Sequence, residues 1–79
     1  MTVVLRNKIT ELAHCIDPAL SIHDFRMVPG PTHTNLIFDV VTPFGFRLED
    51  AEVARQLRAL IRTFDSHYVP VIQVEHSYI

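Results

Sequence analysis

Histidine is the chain's most unusual component, with five residues among 79. Two of them, His23 and His76, and an acidic pair, Glu49 and Asp50, lie where predicted strands and a predicted helix begin or end. Imidazole nitrogens and carboxylate oxygens are donors that suit zinc, manganese, iron and nickel. The first chemistry that these residue types indicate is therefore the binding of a divalent metal ion.

Two stretches have the apolar spacing of amphipathic helices, residues 2–16 and 49–64. In the first, one helix face carries Leu5, Ile9, Leu12 and Ile16, and in the second it carries Val53, Leu57, Leu60 and Phe64. The Asp17-Pro18 pair ends the first helix, because a residue that precedes proline is pushed out of the α region.

A β-hairpin is predicted between the two helices, over residues 20–42. Its turn is the segment Pro29-Gly30-Pro31-Thr32-His33, because proline fixes φ and glycine accepts a positive φ. A last strand is predicted over residues 68–78, where Pro70 favours an edge position because it cannot donate to a neighbouring strand.

The apolar pattern also predicts how the hairpin strands pair. With His23 opposite Phe38, one face collects His23, Phe25, Met27, Leu36, Phe38 and Val40. With His23 opposite Asp39, both faces are mixed. Because a slip of one residue moves every side chain of a strand to the other face, we prefer the first register.

These elements follow the order α-β-β-α-β, which predicts an α+β fold in one domain spanning residues 1–79. The natural packing is a truncated ferredoxin-like sandwich, a three-stranded sheet with both helices on one face. A domain of this size buries only ~60% of its unfolded surface, so dimerisation would be a natural source of further stability.

Several function classes lack support in the composition. The formal net charge is −2, so the basic excess of a nucleic-acid-binding protein is absent. No apolar run approaches the ~18 residues of a membrane span. Gly30 and Gly45 are the only glycines, so no phosphate-binding loop is present, and the single Cys15 lacks a facing histidine. We therefore expect no enzyme activity.

Strand directions predict that the four candidate ligands meet at one end of the sheet. The start of the first strand, the start of the second helix and the end of the last strand all lie there, which places His23, Glu49, Asp50 and His76 together. Each residue also has a simpler role. His23 could be a hydrogen-bonded histidine at the edge of the core, the acidic pair could satisfy the helix N-terminus, and His76 could be solvated.

The segment Ser21-Ile22-His23-Asp24-Phe25-Arg26, followed by Gly30-Pro31-Thr32, resembles the C-terminal cytosolic domain of cation diffusion facilitator transporters. That family shows a strand with His-Asp, a hydrophobic residue and Arg, then a Gly-Pro turn and an apolar strand. The resemblance covers essentially the whole chain, including its α-β-β-α-β order, and it implies a metallochaperone-like fold.

The resemblance implies a domain on the cytoplasmic side of the membrane that forms a homodimer beneath a transporter's membrane domain. Such transporters export zinc, iron, manganese or cobalt, and metal bound to this domain regulates transport. By the same resemblance, ligands come from His23, the helix start near Glu49 or Asp50, and the last strand near His76. Phe38 occupies the family's second-strand ligand position and cannot bind metal.

A rival interpretation is a free-standing ferredoxin-like module that binds a small ligand or a protein partner. The two interpretations differ in the full reading frame, because a transporter would encode about six apolar spans before this domain.

Overall fold

The structure is a computed structural model that describes residues 2–77, and it confirms the predicted order of elements. The elements are helix α1 (Thr2–Ile16), strands β1 (Ser21–Pro29) and β2 (Thr34–Thr42), helix α2 (Asp50–Phe64) and strand β3 (Tyr68–His76). Both helices agree with their predicted limits to within one residue. The sequence predicts that the last strand continues to Tyr78, which lies outside the described residues.

The three strands form one sheet in the order β1-β2-β3. Strand β2 is central, antiparallel to β1 and parallel to β3. Strand β3 is therefore an edge, which agrees with the position expected for Pro70. Helix α1 contacts β1, α2 contacts β3, and the two helices contact each other, so both cover one face of the sheet.

The core lies between this pair of helices and the sheet. Its fully enclosed apolar residues come from one stripe of each helix, alternate positions of β2 and the loop before β1, namely Ile9, Ala13, Val53, Leu57, Ile61, Leu36, Phe38, Val40 and Leu20. In the helices these residues recur every four positions, about one helical turn. The core takes Ala13 and Ile61 where the spacing predicted Leu12 and Phe64; Leu12 is only partly buried and Phe64 is 43% exposed. None of the helices within residues 2–77 is long and apolar enough to cross a membrane.

The predicted hairpin register is wrong. His23 lies opposite Asp39 and not opposite Phe38, while Ile22 lies opposite Val40. Ile22 is consequently buried, and His23 is exposed on the other side of the sheet. The reason is a β-bulge, since the register shifts between His23 and Arg26, where two residues of β1 face one residue of β2.

The bulge explains why the apolar residues of β1 face the core on one side of the sheet although they do not alternate strictly along the strand. Before it, Ile22 faces the core, and after it Phe25 and Met27 do, with the ring of Phe25 stacked on that of Phe38 at 6.0 Å between centroids. Asp24 forms the bulge with a φ of 54°, in the left-handed region. Aspartate enters this region more readily than most residues because its short polar side chain can bond locally.

We expect Asp24→Val to destabilise the fold, because a β-branched side chain at positive φ clashes with its own backbone. The free energy of unfolding should fall by about 1–2 kcal/mol relative to Asp24→Asn, which keeps a residue suited to this conformation. Urea denaturation of the two variants measures the difference. Asp24 is exposed, so lost burial does not contribute. Equal stabilities of the valine and asparagine variants would contradict the strained bulge.

The sheet face turned away from the helices, called the open face below, is covered by no other element of the described chain. It carries exposed Val28, Val69 and Val71, which are 47%, 40% and 49% accessible. Because strand residues alternate, the half-buried Ile37 of the central strand lies on this face too. The open face therefore offers apolar surface to a further partner.

Candidate metal centre

Asp50 and His76 meet at the end of the sheet where α2 begins and β3 ends. Parallel pairing with β2 brings the end of β3 beside Thr42, and the N–H of Ser77 donates to the carbonyl of Thr42 at 2.8 Å. The seven residues 43–49 then lead from Thr42 to the first turn of α2. Two residues 26 positions apart thus become neighbours through the β2–α2–β3 crossover.

The contact between the two side chains is short. The Nε2–H of His76 donates to Oδ1 of Asp50 at 2.7 Å, and the side chains remain 44% and 52% exposed. The pair lies at an open hollow of about 410 Å³ lined by loop residues 43–48 and by Glu49. An imidazole and a carboxylate, both reachable from solvent, are donors that a divalent cation could share.

Glu49 lies at the N-cap position of α2, with an extended backbone at φ −74° and ψ 157°. Its side chain makes no capping hydrogen bond within the described residues. The first helical N–H groups are partly satisfied by main chain instead, since the N–H groups of Glu52 and Val53 donate to the carbonyl of Glu49. The Glu49 carboxylate therefore remains available to a ligand in the hollow.

His23 lies elsewhere. Its Nε2 is 3.1 Å from Oγ of Ser21, on the open face of β1. His76 reaches Asp50 on the helix side of the sheet, and β1 and β3 are separated by β2, which places them roughly 9–10 Å apart. Within residues 2–77 no three His, Cys, Asp or Glu side chains form a group that could hold a metal ion. The structure thus brings Asp50, His76 and Glu49 to one hollow, and His23 to another face.

The other three histidines have local partners. The Nε2–H of His14 donates to the carbonyl of Leu20 at 3.1 Å, and Nε2 of His67 lies 3.0 Å from Oγ1 of Thr34. Nδ1 of His33 lies 3.1 Å from the hydroxyl of the preceding threonine. These contacts stabilise the hairpin and its connections.

Two residues of interest were missed by sequence reasoning. Asp39 lies opposite His23 on the open face, so a carboxylate, and not Phe38, stands beside that histidine. The signal was the three-residue spacing between Ile22 and Phe25, which breaks strand alternation. Arg47 is the second residue, and no pattern in the sequence pointed to its role.

Arg47 ties the loop that lines the hollow to the end of α1. Its guanidinium donates to Oδ2 of Asp17 at 3.3 Å and to the carbonyl of Ile16 at 3.0 Å. The hydrogen bond from the backbone N–H of Ala19 is the main cause that lowers the pKa of Asp17; burial opposes it, and the Arg47 guanidinium adds a further lowering. The loop that carries Glu49 is consequently anchored at its centre.

Glu52, in the first turn of α2, is held as a carboxylate by its neighbours. Hydrogen bonds from Arg55 at 2.6 and 3.0 Å, and from Gln56 at 2.6 Å, lower its pKa from 4.5 to about 2. A carboxyl group with a lowered pKa in the folded state stabilises the fold above its unfolded pKa and loses that contribution as the pH falls through the folded value.

We therefore expect the Glu52 contacts to persist below pH 4.5 and to disappear only near pH 2. A carbon-detected NMR titration of the Glu52 carboxyl group measures the midpoint directly. In Arg55→Gln the midpoint should rise towards 4.5, because the hydrogen bonds from Arg55 are the main cause of the lowered pKa of Glu52. A midpoint near 4.5 in the unmodified chain would contradict the contacts described here.

Comparison with solved structures finds a similar fold. The metal-bound C-terminal domain of the CzcD transporter from Thermotoga maritima superposes with a TM-score of 0.68, covering 96% of this chain and 90% of that one, at 13% sequence identity. This likeness confirms the α-β-β-α-β architecture predicted from the sequence. No protein-family model matches the chain, and no curated protein sequence matches it.

Proposed function

We propose that this chain is a cytoplasmic domain of a divalent-cation efflux transporter, which dimerises and binds a metal ion that regulates transport. The Asp50–His76 contact carries the metal part of the proposal, because it places two ligand types at 2.7 Å on exposed side chains. The fold shared with the metal-bound transporter domain supports the rest. The proposal includes no catalytic role.

The donor chemistry fits a metal ion in part. Zinc–ligand distances near 2.0–2.2 Å separate neighbouring donors by about 3.3 Å, so the pair would open by roughly half an ångström. Exposed side chains can make that adjustment, and the metal would replace the proton now on Nε2 of His76. Asp50 and His76 supply two donors. Glu49 lines the same hollow but does not complete a group of three within residues 2–77, so a second copy of the chain or water would supply the remaining ligands.

The surrounding charge favours a cation. The residues at this end include Asp17, Glu49, Asp50, Glu52 and Glu75, against Arg47 and Arg55. Clustered carboxylates lower the local potential and raise the concentration of divalent ions at the hollow. Both arginines are ion-paired, with Asp17 and Glu52. A metal ion at Asp50 and His76 would therefore meet a net negative surface.

The open face is the surface that we assign to the dimer. It combines Val69, Val71 and Ile37 with the polar His23–Asp39 pair. Covering apolar strand residues with a second copy removes them from water and stabilises the dimer by about 25 cal/mol per Å² buried. A metal ion that binds one dimer arrangement more tightly than another would shift the population towards it, which is how binding would regulate transport.

Sedimentation equilibrium tests the proposal. We expect the mass of the chain to approach that of a dimer, with a dissociation constant that zinc, manganese or cobalt lowers relative to a chelator-treated sample. Val71→Lys should weaken the dimer by placing a charge on the open face, whereas Val3→Lys, on an exposed position of α1, should not. A monomer under all of these conditions would contradict the proposal.

A further inference from the structure

The side-chain charges of this molecule are separated along its long axis. One end contains the start of α1, the end of α2, the hairpin turn and the start of β3, and we call the half of the molecule nearest to it the basic half. Five of the seven Lys and Arg residues lie there, namely Arg6, Lys8, Arg26, Arg58 and Arg62, with one carboxylate, Asp65. Five cations against one carboxylate give a formal charge of +4.

The opposite half is acidic. It holds the other eight of the nine Asp and Glu residues and only two cations, Arg47 and Arg55, a formal charge of −6. The overall net charge of −2 conceals this division. The long axis extends over 39 Å, against 20 and 17 Å for the others, so charges near the two ends are well separated, whereas those of Asp24 and Arg26 meet near the middle.

Four of the five cations of the basic half have few competing partners, whereas Arg26, near the middle of β1, lines the same hollow as Asp24 and Asp39 of the acidic half. Among the residues that the structure describes, the ion pairs involve Arg47, Arg55 and His76, all in the acidic half. Lys8 lies with its Nζ 5.4 Å from the ring centroid of Phe64, a cation–π contact that leaves its charge uncompensated. The basic half therefore presents its charge to solvent.

Apolar side chains accompany these cations. Val3, Val4 and Phe64 are 64%, 69% and 43% exposed. A groove of about 360 Å³ opens between the first turns of α1, the end of α2 and the sheet, lined by Val4, Leu5, Lys8, Met27, Phe64 and Tyr68. Exposed valines beside a partly open aromatic groove are costly in water, so they indicate a surface with an apolar partner.

We propose that the basic half docks on a phospholipid bilayer that contains anionic headgroups. Phosphate and carboxylate headgroups match the exposed arginines and Lys8, and Val3, Val4 and Phe64 reach the boundary of the acyl region. An anionic membrane surface attracts the basic half of the molecule and repels the acidic half. The long axis should therefore lie along the membrane normal, with the acidic half farthest from the bilayer. A peptide bound in the groove would contact its apolar lining but would not account for the separation of charge between the two halves. A bilayer accounts for both features, so we favour it as the partner.

Vesicle co-sedimentation of the whole chain tests this inference, which does not depend on metal binding. We expect binding to phosphatidylcholine vesicles that contain about 30% phosphatidylserine, and little binding to phosphatidylcholine alone. Binding should fall as salt is added, because the exposed charges are screened.

Two variants with the same change in net charge locate the surface. Lys8→Gln/Arg62→Gln should lower the partition coefficient about 25-fold, because each basic residue near an anionic surface contributes about fivefold. Arg47→Gln/Arg55→Gln, in the acidic half, should leave it within about twofold of the unmodified chain, since these cations face away from the membrane. Circular dichroism melting curves establish that both variants fold.

Three results would overturn the inference. One is the absence of binding to anionic vesicles at low salt, and another is an equal loss in the two double variants, which would indicate a response to net charge alone. The third is binding of an acidic amphipathic peptide to a chain that does not bind vesicles, which would assign the basic half to a protein partner.

Discussion

Ile22→Ala is expected to lower the free energy of unfolding by about 2–4 kcal/mol, whereas His23→Ala should change it by less than about 0.5 kcal/mol. Ile22 is 5% accessible and belongs to the core, and its neighbour His23 is exposed on the open face. Deleting a buried branched side chain removes apolar contacts and leaves a cavity. An exposed histidine contributes one hydrogen bond, to Ser21.

The pair of variants distinguishes the two hairpin registers. If His23 paired with Phe38, it would share the helix-covered face with Phe25, and Ile22 would be the solvent-facing member of the pair. Urea denaturation with a common m-value then measures which side chain is buried. A larger loss in His23→Ala than in Ile22→Ala would restore the register preferred from the sequence and remove the bulge at Asp24.

The elements of this fold could be predicted because each has a strong local signal. Helix periodicity at Leu5, Ile9, Val53 and Leu57 set the position of both helices, and the residue before Pro18 set the end of the first. The register could not be predicted in the same way. A bulge changes the side on which each later residue lies, so strict alternation fails beyond it. Its one sequence signal is the three-residue spacing between Ile22 and Phe25, and Phe25 then stacks on Phe38 in the core.

For the candidate site too, one part could be predicted from the sequence and another could not. Directions of consecutive elements predicted that Asp50 and His76 would lie at one end, and they are in contact. Which side of the sheet each residue occupies depends on register and strand order, so His23 could not be placed. The acidic surroundings follow from strand and helix order, since the end of α1, the start of α2 and the end of β3 meet there and carry Asp17, Glu49, Asp50, Glu52 and Glu75.

The largest effect of the proposed metal site should be on thermal stability. At a thousandfold excess of metal over its dissociation constant, binding to the folded state alone adds about 4 kcal/mol. For a domain of this size that corresponds to a rise in Tm of roughly 15–30 °C. Differential scanning calorimetry with zinc, manganese and cobalt, each added to the chelator-treated chain, measures the rise.

Substitution of the two donors identifies the site. Asp50→Asn and His76→Gln each remove a donor of the pair while keeping a similar side-chain size, so the metal-dependent rise should disappear in both. His33→Gln is the matched control, because it removes an exposed histidine whose partner is the adjacent Thr32, and it should retain the full rise. His23→Gln distinguishes the hollow from the open face, since loss of the metal-dependent rise in Tm in this variant would place the ion on the open face instead. A rise that persists in the Asp50→Asn/His76→Gln double variant would exclude the hollow at the start of α2 as the metal centre.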